Sequence, residues 1–348
     1  AGGQLMRDVR AGLRTQNGAV AMERLEARLP GRAAITLSGK NEKDRFSGPL
    51  SFAAEEPQIF ARWLLGEELS AKLQWSSALR VKGTVTYTAD EMSLSDFQAL
   101  VENARVSGKL TVQGWRDRRN SVLQANLEAE GVNFDATLPV ARSVLALAGD
   151  LKFTLNLLAT NSRFLNKPLK RASVTAAQSE GGFRLQNLTL DDLDGISLIA
   201  KGSGSEKGYE FSAEAIRDSG FAAALEYLSG SADLSNIATR YAVSHFPLRF
   251  AGTLAPLKNG WRVLAKSGDA ELALDLGELR DARQPVDAVF RLPSTEIAAK
   301  GEFRFGAEGR FEPQLMLSLK TADLRKDFAL ADRASANVLP AQGSATLL

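Results

Sequence analysis

Apolar and polar residues alternate with a period of two along most of this chain. That pattern limits it to strands with one dry face and one wet face. In "LRVKGTVTY", Leu79, Val81, Gly83, Val85 and Tyr87 share a face, with Arg80, Lys82, Thr84 and Thr86 opposite. "VLQANLEAE" sets Leu123, Ala125, Leu127 and Ala129 against Gln124, Asn126, Glu128 and Glu130. "HFPLRFAGTL" lines up Phe246, Leu248, Phe250, Gly252 and Leu254, and similar runs begin at residues 151, 196, 271 and 314. Turn signals such as "QNG", "TADE", "SEGG" and "LKNG" separate them. The chain reads as mainly β, with antiparallel strands. Helical signals are short and follow strands: "EEPQIFARWLL", "SGFAAALEYLSG" and the weaker "LPVARSVLALAG" and "DLSNIATRYAV".

One stretch admits two readings. Within "MSLSDFQALVENARVSGKLTVQG", residues 92–114, Ser95 could cap a helix carrying Phe97, Leu100 and Val101, yet the flanks alternate as strands do. Its cousins decide for strand. "VAMERLEA" from 20, "MSLSDFQA" from 92 and "FRLQNLTL" from 183 share one form: two alternating apolar residues, a two-residue gap, then two more. The extra residue inverts the phase, as a β-bulge does. Each is followed by a strand closing on glycine, "AITLSG", "KLTVQG" or "ISLIAKG", and then by one ending in a small residue and a charge, "SFAAE", "NLEAE" or "EFSAE". A fourth unit, around "EIAAKG" and "LSLK", lacks a clear first part. The units group into a first module, residues 1–147, and a second with longer insertions, residues 148–348. The abrupt ends are those expected of a piece cut from a longer protein.

The charged residues argue against whole classes of function. The 43 basic and 41 acidic side chains leave a net charge of +2 over 348 residues, which makes no case for nucleic acid. Without cysteine there is neither a disulfide framework nor thiolate chemistry. The single histidine, His245, reads as a surface residue on a strand, and "DDLD", residues 191–194, as a turn without the spaced ligands of a calcium loop. "KGSGSEKG" reads as a hairpin loop, since no helix follows to cradle phosphate, and "WRDRRN", residues 115–120, as a solvated hairpin tip. No convergent polar cluster emerges, so the expectation is a protein that is not an enzyme and needs no cofactor or metal.

"LPGRAAITLSGKNEKDRFSGPLSFAAEEPQIFARWL" resembles the repeating unit of bacterial AsmA-like proteins: a Pro-Gly turn, a strand closing on glycine, a charged hairpin, a second strand and a short helix. The stretch from "VKGTVTY" to "EGVNFD" resembles the next unit, and "GGFRLQNLTLDDLDGISLIAKGSG" a sheet edge turning on "DG". The likeness spans most of residues 13–235. It implies an elongated, curved antiparallel sheet, folded over into a β-groove. It also implies a periplasmic location, with an inner-membrane anchor outside this chain, and a role in phospholipid transport to the outer membrane, outer-membrane assembly and lipid homeostasis. The expected partners are phospholipid acyl chains.

On that reading, Leu79, Val81, Val85, Tyr87, Leu123, Leu127, Ile196, Leu198, Phe211 and Phe250 are the candidate groove residues, in apolar contact with acyl chains. Alternation alone serves two architectures equally well. The same faces could close on each other as a sandwich core, giving a structural or adhesin-like β array that binds protein partners through its edges. A carbohydrate-active β protein would want paired acids with aromatic platforms, and the chain has only four Trp and four Tyr.

Overall fold

The computed structural model describes residues 5–16, 19–71, 77–101, 103–117, 120–148, 152–180, 182–202, 208–229, 232, 235–236, 239, 246–278, 283–305, 311–322 and 343–347. Among them the fold is mainly β, and the chain divides into two compact units, Ala1–Phe183 and Arg184–Leu348. The division therefore lies further along the chain than residue 147, where the repeat pattern suggested it. The reason is that the strands on either side of residue 147 belong to one hydrogen-bonded ladder.

Unit 1 contains β1 (Arg7–Gln16), β2 (Ala19–Leu29), β3 (Ala33–Glu42), β4 (Arg45–Ala54), β5 (Leu79–Tyr87), β6 (Glu91–Val101), β7 (Ala104–Gln113), β8 (Val122–Glu130), β9 (Lys152–Phe164) and β10 (Lys167–Ser179). Its helices are α1 (Pro57–Leu65) and α2 (Glu67–Ala71) between β4 and β5, and α3 (Phe134–Ala148) between β8 and β9. Each strand pairs with the next in sequence, antiparallel throughout except at β8–β9, which is parallel. The all-antiparallel expectation is corrected there. A parallel neighbour requires the chain to return to the starting end, and α3 is the return. Local alternation along β8 and β9 carries no trace of relative direction, so the sequence could not reveal it.

The stretch with two readings is β6, a turn and β7. The proposed bulge is present: the register of β6 on β7 shifts between Leu94 and Phe97, and that of β2 on β3 between Met22 and Leu25. In the third copy it falls between Leu190 and Leu193, five residues beyond the expected site. The motif common to all three is therefore apolar–polar–polar–apolar: Met-Glu-Arg-Leu, Leu-Ser-Asp-Phe and Leu-Asp-Asp-Leu. Asp96 and Asp192, one in each of the last two gaps, sit at φ 49° and 54°. A short polar side chain tolerates that left-handed turn better than a branched apolar one.

Unit 2 contains β11 (Gly182–Leu193, beginning just before the division), β12 (Ile196–Gly202), β13 (Tyr209–Ala215), α4 (Asp218–Ser229), β14 (Leu248–Leu257), β15 (Gly260–Ser267), β16 (Ala270–Gly277), β17 (Arg283–Arg291), β18 (Thr295–Phe305), β19 (Phe311–Thr321) and β20 (Gly343–Leu347). From β11 to β20 each strand is antiparallel to the next. The expected "DLSNIATRYAV" helix lies largely outside the described residues.

On the wet face of unit 2 the charges alternate across strands. Lys266, Glu271, Arg291 and Glu296 stand in register from β15 to β18, with Lys266 and Glu271 2.5 Å apart and Arg291 and Glu296 3.0 Å apart. Arg262 grips Asp275 with two hydrogen bonds of 2.6 Å. A one-residue slip would set these charges against apolar neighbours, so the ladder specifies register even where each exposed pair adds little stability.

The Pro30-Gly31 turn meets the start of α1. Gly31 is at φ 79°, its carbonyl accepts the Glu56 amide at 3.0 Å, and a Cβ there would come within 2.4 Å of the Glu56 carbonyl oxygen. Gly31→Ala is expected to destabilise unit 1 by about 2–3 kcal/mol, from strain plus displacement of α1, measured by chemical denaturation. Gly66→Ala, also at positive φ but with open space around it, should cost only about 1 kcal/mol.

Candidate apolar binding face

The strand register assembles the alternating residues into one apolar face in each unit. In unit 1 a row runs Ile35, Phe52, Val81, Ala99, Val106, Ala129 and Ala159 from β3 to β9, each the direct partner of the one before. A second row runs Val85, Leu94, Leu110, Ala125, Leu155 and Ala176 from β5 to β10. Ten strands at about 4.8 Å spacing make this face roughly 45 Å across. In unit 2, Leu198, Ala213 and Phe250 form a row, as do Gly252, Ala265, Leu272, Phe290, Ile297 and Leu319.

All ten candidate residues fall on these faces. Leu79, Val81, Val85, Tyr87, Leu123 and Leu127 share the unit 1 face, and Ile196, Leu198, Phe211 and Phe250 that of unit 2. Sequence reasoning left out Phe52, Leu94, Phe97, Leu110, Phe153 and Leu155, which lie on the unit 1 face with them. Alternation marks each of these as apolar, but only the register places them beside the chosen ones.

Helices cover parts of both faces. Phe60 of α1 lies 5.1 Å from Phe52, ring centre to ring centre. Phe221 of α4 stacks on Phe250 at 6.4 Å with the rings 5° from parallel, and meets Phe246 edge-on at 5.8 Å. Phe250 is thus part of a helix–sheet contact. At the head of α3, Phe134 meets Phe164 edge-on, and both Asp135 carboxylate oxygens accept backbone amides, of Leu165 and Asn166, at 2.8 Å. Ala54, Ala129 and Ala215 are each buried at the end of the strand that precedes a helix. The small residue closing each repeat is what lets the chain turn tightly onto the sheet.

Away from the helices the face is mixed: Phe97, Ala125, Phe153, Ala159 and Ala176 are buried, while other members are half-buried or exposed. Nine of the ten candidates are neither buried nor exposed, and Tyr87 is 36% exposed, with Trp115 packed on its ring at 5.1 Å. Neighbouring side chains on a single sheet shade one another to about this degree, whereas the inner faces of a closed sandwich are fully buried. On the same face Met92 is 42% exposed and, at the edge strand, Leu13 67%.

The wet face of unit 1 holds two open depressions. They measure about 710 and 730 Å³ and lie between the long side chains of β5–β10, one of them lined by Arg80, Lys82, Arg105, Glu128 and Glu130. Basic and acidic groups alternate there, Arg105 and Glu130 being 3.9 Å apart. The carboxyls with shifted affinity for protons are exposed ion-pair partners: hydrogen bonding to Arg262 holds Asp275 below the usual carboxylate range, and Lys266 and Lys152 do the same for Glu271 and Glu180. Among the described residues no cluster of three or more His, Asp or Glu could hold a metal ion, and no helix is long and apolar enough to cross a membrane. Of the "DDLD" segment, expected to be a turn, Asp191–Leu193 end β11 with its bulge and only Asp194 enters the turn with Gly195, whose amide the Asp192 carboxylate accepts at 2.9 Å. Trp115 of "WRDRRN" donates its indole N–H to the Thr88 carbonyl at 3.3 Å. His245 and most of "KGSGSEKG" lie outside the described residues.

Comparison of the chain with protein-family models, with curated proteins and with solved structures finds no match to any of them.

Two outcomes follow from this geometry. Phe250→Ala should cost about 3–4 kcal/mol in unit 2, read by thermal melting, because it opens a cavity under α4. For Asp275 the folded pKa is depressed, so its pair with Arg262 stabilises unit 2 above the ordinary carboxylate range and that increment fades as pH falls through the lowered one. Asp275→Asn should therefore be slightly less stable than wild type at neutral pH and equal to it in acid, measured by urea denaturation across pH.

Proposed function

We propose that the chain is a lipid-handling β-groove of AsmA type, in which the apolar sheet face takes up phospholipid acyl chains without chemistry. The observation that carries the reading is an apolar face continuous in register from β3 to β10 of unit 1, on which Val81, Val85, Leu94, Leu110, Leu123 and Leu127 remain half-buried. An apolar sheet face needs a cover. Two acyl chains of about thirty methylenes would lose on the order of 20 kcal/mol in water, and a trough that exchanges one apolar surround for another removes most of that cost. Rows of aliphatic side chains with no directional polar partner let a chain slide, so transfer requires no reacting residue and no cofactor. The resemblance of the repeats to AsmA-like proteins supplies the setting: the periplasm, an anchor in the inner membrane outside this chain, and phospholipid moving toward the outer membrane.

Residues clear of the helices separate this role from core packing. Val85→Asp and Leu110→Asp should reduce uptake of a fluorescent phospholipid by about tenfold or more, since a carboxylate must be desolvated against the acyl chain. Both should leave circular dichroism and the melting profile close to wild type, in contrast to Phe250→Ala. Native mass spectrometry of the purified chain should show copurified phospholipid. A lipid-free chain that takes up no phospholipid would end this reading.

A further inference from the structure

We infer that a depression at the beginning of unit 1 binds a phosphate group, that of a phospholipid headgroup, an inference that rests on the lipid reading above. The depression, about 880 Å³, lies among β1, β2 and the Pro30–Arg32 turn, and its lining includes Leu5, Arg7, Asp8, Arg28, Leu29 and Arg32. Three guanidinium groups thus border one space that contains a single carboxylate.

The backbone accounts for the crowding. Arg7 and Arg28 are direct cross-strand partners, an arrangement of like charges that is destabilising unless something negative lies between them. Asp8 supplies part of it. From a left-handed conformation at φ 53°, in a β1 bulge, it places its carboxylate 3.3 Å from Arg28. Arg7 has no acidic partner among the described residues. Arg32, itself left-handed at φ 49°, is approached by Glu55 at 3.5 Å and Glu56 at 3.6 Å.

Phosphate suits this set better than a carboxylate does. Its oxygens can each take a guanidinium fork, and arginine binds phosphate through paired, charge-assisted hydrogen bonds. Position adds the lipid. Leu29 and Ala33, which line the same depression, are cross-strand partners on the apolar face. Arg7 and Arg28 stand on the opposite face from Leu29 and Ala33, at the edge strand β1, so a phosphate held there is reached from the apolar face around that edge, past the Pro30–Arg32 turn. Arg28 and Arg32 are more than 70% exposed, so the attraction is salt-sensitive.

The test compares phosphatidylglycerol with a diacylglycerol bearing the same fluorescent chains, in wild type and in an Arg7→Gln/Arg28→Gln double variant. At low salt the wild type should favour the phospholipid by about tenfold, the variant should lose that preference, and diacylglycerol uptake should be unchanged. Equal uptake of the two lipids by wild type would overturn the phosphate site and leave the lipid reading intact. If neither lipid is taken up, the lipid reading fails, and phosphorus NMR with glycerol 3-phosphate and inorganic phosphate decides the site alone. Broadening that disappears in the variant would keep it as a site for free phosphate, and no broadening would remove it. Arg7→Lys/Arg28→Lys should restore part of the preference, and unchanged circular dichroism excludes unfolding as the cause of any loss.

Discussion

The structure depends on register. Each strand has a dry and a wet side, and a slip of one residue between two neighbours would exchange the two sides for every strand beyond it. The backbone ladder is indifferent to such a slip, because every amide and carbonyl would still find a partner. What opposes it is the match of side chains across strands: apolar rows such as Ile35–Phe52–Val81–Ala99 on one face, and the ladder Lys266–Glu271–Arg291–Glu296 on the other. Individually these exposed ion pairs are weak. Their value is that the alternative registers are worse.

Bulges and helices divide the remaining work. Each repeat inserts a polar pair into its bulged strand, which returns the following residues to the apolar face. Each then closes on a buried alanine before a helix, and in the first and third repeats that helix sets an aromatic ring on the same face, Phe60 on Phe52 and Phe221 on Phe250. The helices cover the face near strand ends and leave rows such as Val85–Leu94–Leu110 half-buried. A face that was meant to become a sandwich core would gain nothing from such partial cover. Such partial cover is what the proposed role, a surface that receives flexible apolar chains, would call for.

Much of this was legible along the chain. The β class, the strand reading of residues 92–114, two of the three bulges, and α1 and α4 all follow from local pattern. The ten chosen apolar residues lie on shared faces because parity along a strand is a local property. The third bulge was displaced because "FRLQNLTL" and "LTLDDLDG" offer the same apolar spacing five residues apart, and spacing alone cannot choose between them. Phe250 was chosen for the open face and stands under Phe221, a contact between residues about thirty positions apart that no periodicity records.

The sequence by itself determined which residues are dry and which are wet, and that the dry ones lie on strands, because side-chain direction along a strand follows from backbone geometry. Only the tertiary structure decided which dry residues are neighbours, that β9 runs parallel to β8, and where the helices rest. It also brought Arg7 opposite Arg28 beside the Arg32 turn. Those outcomes depend on the sense of a crossover and on the register of one strand against the next, which are relations between distant segments and leave no mark on either segment alone.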